Sequence, residues 1–246
     1  MYIGLVANPI QDLRIKVFLD SASTDEILDY YRNSREVISG FTTNPTLMKQ
    51  SGVKNYQAFI RDIMAEVSDL PISFEVFADD LEGMREQALT LASLGKNVYV
   101  KIPVTNTRGV PTHQLVSDLA NEGVACNVTA IMTLEQIQKI ESALTSTNPI
   151  VLSVFAGRIA DTGRNPEIIL KEICAFIEPR ENVSILWAST REVLNIFQAD
   201  HSGCDIVTVT SPLLKKLQNI GKDLDQLSLE TVAMFYNDAK AAGYSI

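Results

Sequence analysis

Lys101 stands inside the run Val98-Tyr99-Val100-Lys101-Ile102-Pro103, one charge in a stretch otherwise suited to a strand covered on both faces. Burial disfavours an ammonium group, and the neutral amine is a nucleophile that attacks a carbonyl carbon to give a Schiff base. Other polar residues close or follow short apolar runs. Asp20 ends Phe18-Leu19-Asp20, Asn44 ends Thr42-Thr43-Asn44, and Glu75 follows Ile72-Ser73-Phe74. Asn127 and Thr129 occupy alternate positions of one run, Ser153 and Phe155 of another, so each pair shares a strand face. Arg158 lies just beyond Phe155, and Ser189 and Arg191 follow Trp187-Ala188. Carboxylates move protons, amides and hydroxyls hold a polar substrate, and a guanidinium offers a planar fork to phosphate oxygens.

Each residue also has a plainer reading. Lys101 fits a strand-edge surface lysine or a structural ion pair with Glu75. Asp20 could cap the following helix, in competition with Ser23, and Asn44 before Pro45 fits turn chemistry. Arg158 and Arg191 fit exposed ion-pair partners, and Thr129 and Ser153 are ordinary strand residues. What favours a site is their joint position at the ends of successive strands.

The elements that would carry them alternate regularly. Strands are predicted at Ile15–Asp20, Gly40–Asn44, Ile72–Val76, Val98–Pro103, Ala125–Ala130, Ile150–Ala156, Val183–Ser189 and Ile206–Ser211. Between them, amphipathic stretches predict helices at Thr24–Asn33, Tyr56–Val67, Asp80–Leu94, Thr112–Glu122, Leu134–Ala143, Glu167–Ile177, Arg191–Ala199 and Leu213–Leu217. Ser23, Thr24 and Asp25 before Ile27 and Leu28, and Thr133 with Gln136 three residues on, read as helix starts. Ser228–Ala242 adds a helix at the C-terminus. Its apolar Leu229, Val232, Ala233, Phe235 and Tyr236 suit packing on this barrel or on a neighbour's, and the chain is expected to form a homo-oligomer.

Alternation of this kind predicts an α/β fold with a parallel sheet. Eight β/α units point to a single (β/α)8 TIM barrel over residues 1–246 with the extra C-terminal helix. The alternative, an open doubly wound sheet, lacks the glycine-rich phosphate turn usual at its first strand. In a barrel the polar strand ends converge on the C-terminal mouth.

Composition narrows the function. With 21 Lys and Arg against 30 Asp and Glu, the net charge of −9 argues against nucleic acid or an anionic membrane as partner. His113 and His201 belong to no HxH or HExxH pattern, and Cys126, Cys174 and Cys204 form no CxxC pair, so no metal is expected. The odd, widely spaced cysteines suggest a reducing compartment. Met1–Leu13 lacks the basic start and apolar run of a secretory leader, so a cytoplasmic location is expected. Walker A, dinucleotide and G-x-S-x-G motifs are absent.

From Lys16 to Tyr244 the chain resembles the transaldolase family, class I Schiff-base enzymes on a (β/α)8 barrel. The resemblance rests on Phe18-Leu19-Asp20, Gly40-Phe41-Thr42-Thr43-Asn44-Pro45-Thr46-Leu47 and Val100-Lys101-Ile102-Pro103-Val104-Thr105. It continues through Asn127-Val128-Thr129, Ser153-Val154-Phe155-Ala156-Gly157-Arg158-Ile159 and Ala188-Ser189-Thr190-Arg191. The resemblance implies that Lys101 forms the imine and that Asp20 takes the proton of the substrate C4 hydroxyl. It implies that Glu75 and Thr129 hold a catalytic water. Asn44, Asn127 and Ser153 would bind the dihydroxyacetone portion. Arg158 would bind phosphate, with further contacts from Ser189 and Arg191. Sugar phosphates are the implied substrates, and the protonated imine removes any need for a metal or organic cofactor.

The family holds two activities. Transaldolases keep the three-carbon unit for an aldehyde acceptor, and fructose-6-phosphate aldolases release it as dihydroxyacetone. Members of the aldolase type tend to carry Gln at the position of Glu75 and Tyr at that of Phe155, so both residues here are transferase-like. The length of 246 residues is nearer the small, aldolase-like branch. A non-catalytic sugar-phosphate-binding barrel is the alternative of another class.

Overall fold

The apolar runs become strands because their residues pack on both faces, and the amphipathic stretches become helices that bury one side. The structure is a computed structural model that describes residues 10–177 and 180–246. Strand β1 (Lys16–Asp20) leads to α1 (Thr24–Asn33), and β2 (Gly40–Thr42) to α2 (Pro45–Gln50) and α3 (Tyr56–Met64). Next come β3 (Ile72–Glu75) with α4 (Leu81–Ala92), β4 (Val98–Pro103) with α5 (His113–Asn121), and β5 (Cys126–Ile131) with α6 (Leu134–Ala143). Strand β6 (Ile150–Val154) precedes α7 (Ala156–Ala160) and α8 (Pro166–Ile177), and β7 (Val183–Trp187) precedes α9 (Leu194–His201). Strand β8 (Ile206–Val209) is followed by α10 (Ser211–Leu214), a 3₁₀ turn and α11 (Leu224–Ala241).

All strand pairs are parallel, and β1 pairs with both β2 and β8, closing the sheet into a barrel. The open doubly wound alternative is thereby excluded. Between sheet and helices lies the main core, where Leu19, Phe41, Phe74, Val100 and Val128 are completely buried. The barrel interior holds a second apolar cluster of Phe18, Val151, Leu186, Ala188 and Ile206, with Tyr99 and Phe155 against it. Gly40 makes room for this plug, because a Cβ there would lie 2.6 Å from the Phe18 ring. Above the plug, register aligns Glu75 with Lys101 and Lys101 with Asn127 across three neighbouring strands.

Several boundaries differ from the sequence reading. The second strand ends at Thr42 rather than Asn44, because Asn44 Oδ1 accepts from Leu47 N and Pro45 opens α2. The sixth strand stops at Val154, the seventh at Trp187 and the eighth at Val209, each giving way to a turn or short helix. Ser23 caps α1, and Thr133 and Gln136 form the expected capping box on α6. Helix α11 begins at Leu224, capped by Asp223, and none of its residues is buried. Its packing on this chain's own barrel is therefore not observed. No helix among the described residues is long and apolar enough to cross a membrane. The leader reading over Met1–Leu13 falls largely outside the described residues.

Candidate active site

Alternation along the strands turns polar side chains inward at the C-terminal end of the barrel from every strand but β7, which presents Leu186. The mouth encloses a cavity of about 420 Å³, lined by Asp20, Asn44, Glu75, Lys101, Thr129, Ser153, Phe155, Arg158, Ser189 and Arg191. Ten of the eleven residues picked out by sequence thus line one cavity, and the eleventh, Asn127, lies beneath it, completely buried in the same layer.

Lys101 is only 6% exposed. Its Nζ donates to the Thr43 carbonyl at 2.9 Å and lies 3.4 Å from Glu75 Oε2. The structural ion pair weighed from sequence is therefore present, but it sits at a cavity wall, and the strand-edge surface reading does not hold. Asp20 is not a helix cap. Its carboxylate accepts from Thr42 Oγ1 at 2.8 Å and from Asn44 Nδ2 at 3.2 Å. Burial pushes the Asp20 carboxyl above the ordinary carboxylate range, against the opposing pull of Lys101, Thr42 and Asn44. Asn44 thus does two jobs, its Nδ2 holding Asp20 while its Oδ1 caps α2.

Beneath these groups runs a buried polar chain. Ser153 Oγ donates to Asn127 Oδ1 at 2.6 Å, and Asn127 Nδ2 donates to Ser73 Oγ at 3.0 Å. Thr129 Oγ1, by contrast, is buried with no hydrogen-bond partner. Its strand is irregular at this point. A β-bulge between Val128 and Ile131 shifts the register with β6, and Ala130 takes a φ of 62°. Strain of this kind concentrates where a side chain must be aimed.

The other rim carries cations. Arg158 has no charged partner among the described residues, and its guanidinium carbon stands 5.9 Å from the Phe155 ring centroid. Arg191 is held instead by Asp161 at 2.6 Å, an exposed pair of the plainer kind foreseen from sequence. Ser189 adopts a φ of 64°, and its carbonyl presses on Gly157 so closely that a Cβ there would sit 1.7 Å away. That approach fixes the start of α7, and with it Arg158, against the loop after β7.

Sequence reasoning missed Thr42, Thr208 and Ser73. The Thr42 and Thr208 hydroxyls are 2.6 Å apart and link Asp20 to β8. A signal was available for Ser73 and Thr208, each a hydroxyl between two apolar residues of its strand, but not for Thr42, which adjoins Thr43 and Asn44. It also missed Tyr56, whose hydroxyl donates to Glu75 O and accepts from Glu75 N, clamping the end of β3. A larger cavity, about 800 Å³, lies outside the barrel between α3 and α4. It shares Glu75 alone with the mouth, whereas Lys101, Asp20 and Arg158 line only the smaller cavity, so the convergent chemistry belongs there. No group of three or more His, Cys, Asp or Glu residues placed to hold a metal occurs among the described residues.

Comparison with known proteins bears on the family and the fold. The family model described as "Transaldolase/Fructose-6-phosphate aldolase" matches residues 17–246. A "Probable transaldolase" of Caldicellulosiruptor saccharolyticus is 36% identical over 205 residues, 82% of this chain and 89% of that protein. Another of that name, from a Thermoanaerobacter species, is 34% identical over 233 residues, 94% of this chain and all of the relative. The crystal structure of dihydrodipicolinate synthase from Rhodopseudomonas palustris matches with a TM-score of 0.57 and 15% identity, covering 96% of this chain and 82% of that one. At that identity it speaks for the barrel alone. With a family match spanning nearly the whole barrel and relatives above 30% identity along most of their length, the chain belongs to the transaldolase/fructose-6-phosphate aldolase family.

Proposed function

We propose that this protein transfers a dihydroxyacetone unit from a ketose phosphate to an aldose phosphate through a Schiff base on Lys101. The observation that carries the reading is the buried Lys101 amine at the wall of a polar cavity, 3.4 Å from a carboxylate and lined opposite by Asp20. The amine adds to the ketose C2 carbonyl, and loss of water gives the protonated imine. Asp20 takes the proton of the C4 hydroxyl as the C3–C4 bond breaks, and the electron pair flows into the iminium to give an enamine. An aldehyde leaves, a second aldehyde is attacked by the enamine carbon, and Asp20 returns its proton to the new alkoxide. Hydrolysis of the imine then frees the amine and the new ketose.

Several details support these roles. A carboxylate raised by burial is a stronger base than an ordinary one, as proton removal from a hydroxyl requires. Glu75 beside Lys101 and the unpartnered Thr129 hydroxyl suit a water-holding pair for the proton transfers of imine formation. The partly buried Asn44 amide and the buried Asn127 amide and Ser153 hydroxyl suit a polyhydroxy ketone. Arg158, without a charged partner among the described residues, suits the substrate phosphate, with Ser189 and Arg191 lining the same cavity. Transfer rather than simple cleavage rests on Phe155. A phenol there could protonate the enamine and release dihydroxyacetone; a phenyl ring has no proton to give.

The test pairs two measurements. Borohydride with fructose 6-phosphate should reduce the imine and leave the adduct on Lys101 in a peptide digest, with none in Lys101→Ala. Fructose 6-phosphate alone should give little free dihydroxyacetone, while erythrose 4-phosphate should yield sedoheptulose 7-phosphate. Rapid dihydroxyacetone release unaffected by any acceptor would establish the aldolase instead, and absence of any adduct would leave only a binding barrel. Phe155→Tyr should shift the balance toward release. We also infer that α11 is covered by a second copy of the chain, since Leu229, Val232, Phe235 and Tyr236 are all more than 60% exposed on it.

A further inference from the structure

At the opposite end of the barrel from the sugar-phosphate cavity, two cysteines thirty residues apart meet. Cys174 projects from α8, and Cys204 lies in the turn between α9 and β8, with their sulfur atoms 3.9 Å apart. The turn packs directly on the helix: a Cβ built on Gly203 would lie 3.5 Å from Cys174 Cβ. Both thiols are free. They differ in access, for Cys204 is 6% exposed whereas Cys174 is only partly buried. A cavity of about 470 Å³ adjoins Cys174, lined also by Lys171, Arg180, Ser202, Gly203 and Asp205.

From this placement we propose that Cys174 and Cys204 form a peroxide-reactive dithiol, a modification site that closes a reversible intramolecular disulfide beneath the barrel. The accessible Cys174 is the attacking sulfur. It displaces an alcohol or water from a peroxide and becomes a sulfenic acid; the O–O bond breaks and the sulfur loses two electrons. Cys204 is the resolving thiol. Its sulfur attacks the sulfenic sulfur, the S–O bond breaks, and the departing hydroxide takes the Cys204 proton to leave as water. A dithiol reverses the step by exchange. The division of labour follows access: Cys174 is partly exposed beside the cavity, whereas Cys204 is buried, and the adjoining Cys174 sulfur together with burial raises the Cys204 thiol above the ordinary thiol range. The sulfurs must approach from 3.9 Å to about 2.05 Å, a shift within reach of side-chain rotation and a small movement of the turn.

The bond would enclose β7 and the loop bearing Ser189 and Arg191, so oxidation should stiffen the chain against unfolding. The full-length protein is treated with hydrogen peroxide and digested without reduction, and the parent is compared with Cys174→Ser, Cys204→Ser and Cys126→Ser. The expected result is a Cys174–Cys204 cross-linked peptide in the parent and in Cys126→Ser, with Tm raised by about 5–10 °C and restored by dithiothreitol. Cys204→Ser should instead hold a sulfenic acid on Cys174, captured by dimedone. Sulfinic acid on Cys174 of the parent without a cross-link, a bond to Cys126 or between chains, or a cross-link with no reversible rise in Tm would each overturn the proposal.

Discussion

Asp20 is where electrostatics and chemistry meet most directly. Burial raises its carboxyl pKa above the ordinary 3.8. In the proposed reaction the carboxylate form accepts the C4 proton, so the acid limb of kcat/KM should fall above the usual carboxylate range, and a pH profile from 3 to 9 checks it. Asp20→Asn should lower kcat at least 100-fold while leaving the borohydride adduct on Lys101 intact, separating cleavage from imine formation. The same shift has a stability consequence. A raised folded-state pKa means the folded protein holds this proton more tightly than the unfolded chain, so the stabilisation is complete below the ordinary value and disappears as pH rises through the raised one. Asp20→Asn lacks that proton, and its stability relative to the parent should therefore climb from pH 3.5 to pH 8 in urea titrations. An unchanged difference would mean that Lys101, Thr42 and Asn44 just offset burial, and a falling one that they outweigh it. At the other rim, Arg158→Ala should reduce kcat/KM for fructose 6-phosphate by roughly 10- to 100-fold, the worth of a charged hydrogen bond, and spare unphosphorylated fructose. Arg191→Ala should cost less, because Asp161 already engages that guanidinium. Equal losses for both sugars would remove phosphate from the assignment.

At the scale of elements, the contact between α7 and the loop after β7 is the most demanding. Gly157→Ala would put a methyl group 1.7 Å from the Ser189 carbonyl oxygen, a backbone atom that cannot rotate away. We expect a stability loss of about 2–4 kcal/mol by denaturant unfolding, and a KM for phosphorylated substrate raised more than that for the neutral sugar. This element also shows why the sequence was legible only in part. The eight strands announced themselves through apolar runs, and Lys101, Asp20 and Glu75 stood out because a charge in such a run is rare. Helices α2 and α7, of six and five residues, are too short for a 3.6-residue period to register. Their starts were absorbed into the preceding strands, which moved Asn44 and Phe155 from strand to turn. The Thr42–Thr208 bridge was illegible for another reason: its partners are 166 residues apart, and only closure of the barrel makes them neighbours.

For the molecule as a whole, the exposed apolar face of α11 sets the expected assembly. Light scattering at micromolar concentration should find a multimer of the full chain. Truncation after Lys222 should give a smaller species without unfolding the barrel, since α11 buries none of its residues on it. A full-length monomer would refute the inference. The net charge of −9 would keep such assemblies apart from one another.

The seam between β1 and β8 has a consequence for biosynthesis. Lys16 pairs with Ile206 and Leu19 with Val209, so the first strand waits for the last before the sheet can close. At translation rates of about 5–20 residues per second, that wait lasts on the order of ten seconds or more. Throughout it, the nascent half-barrel carries two unpaired edges, the feature that finished barrels lack and that other nascent chains can join. Ribosome-bound chains halted before β8 emerges should therefore be protease-sensitive and recruit chaperones, and those halted after it should not.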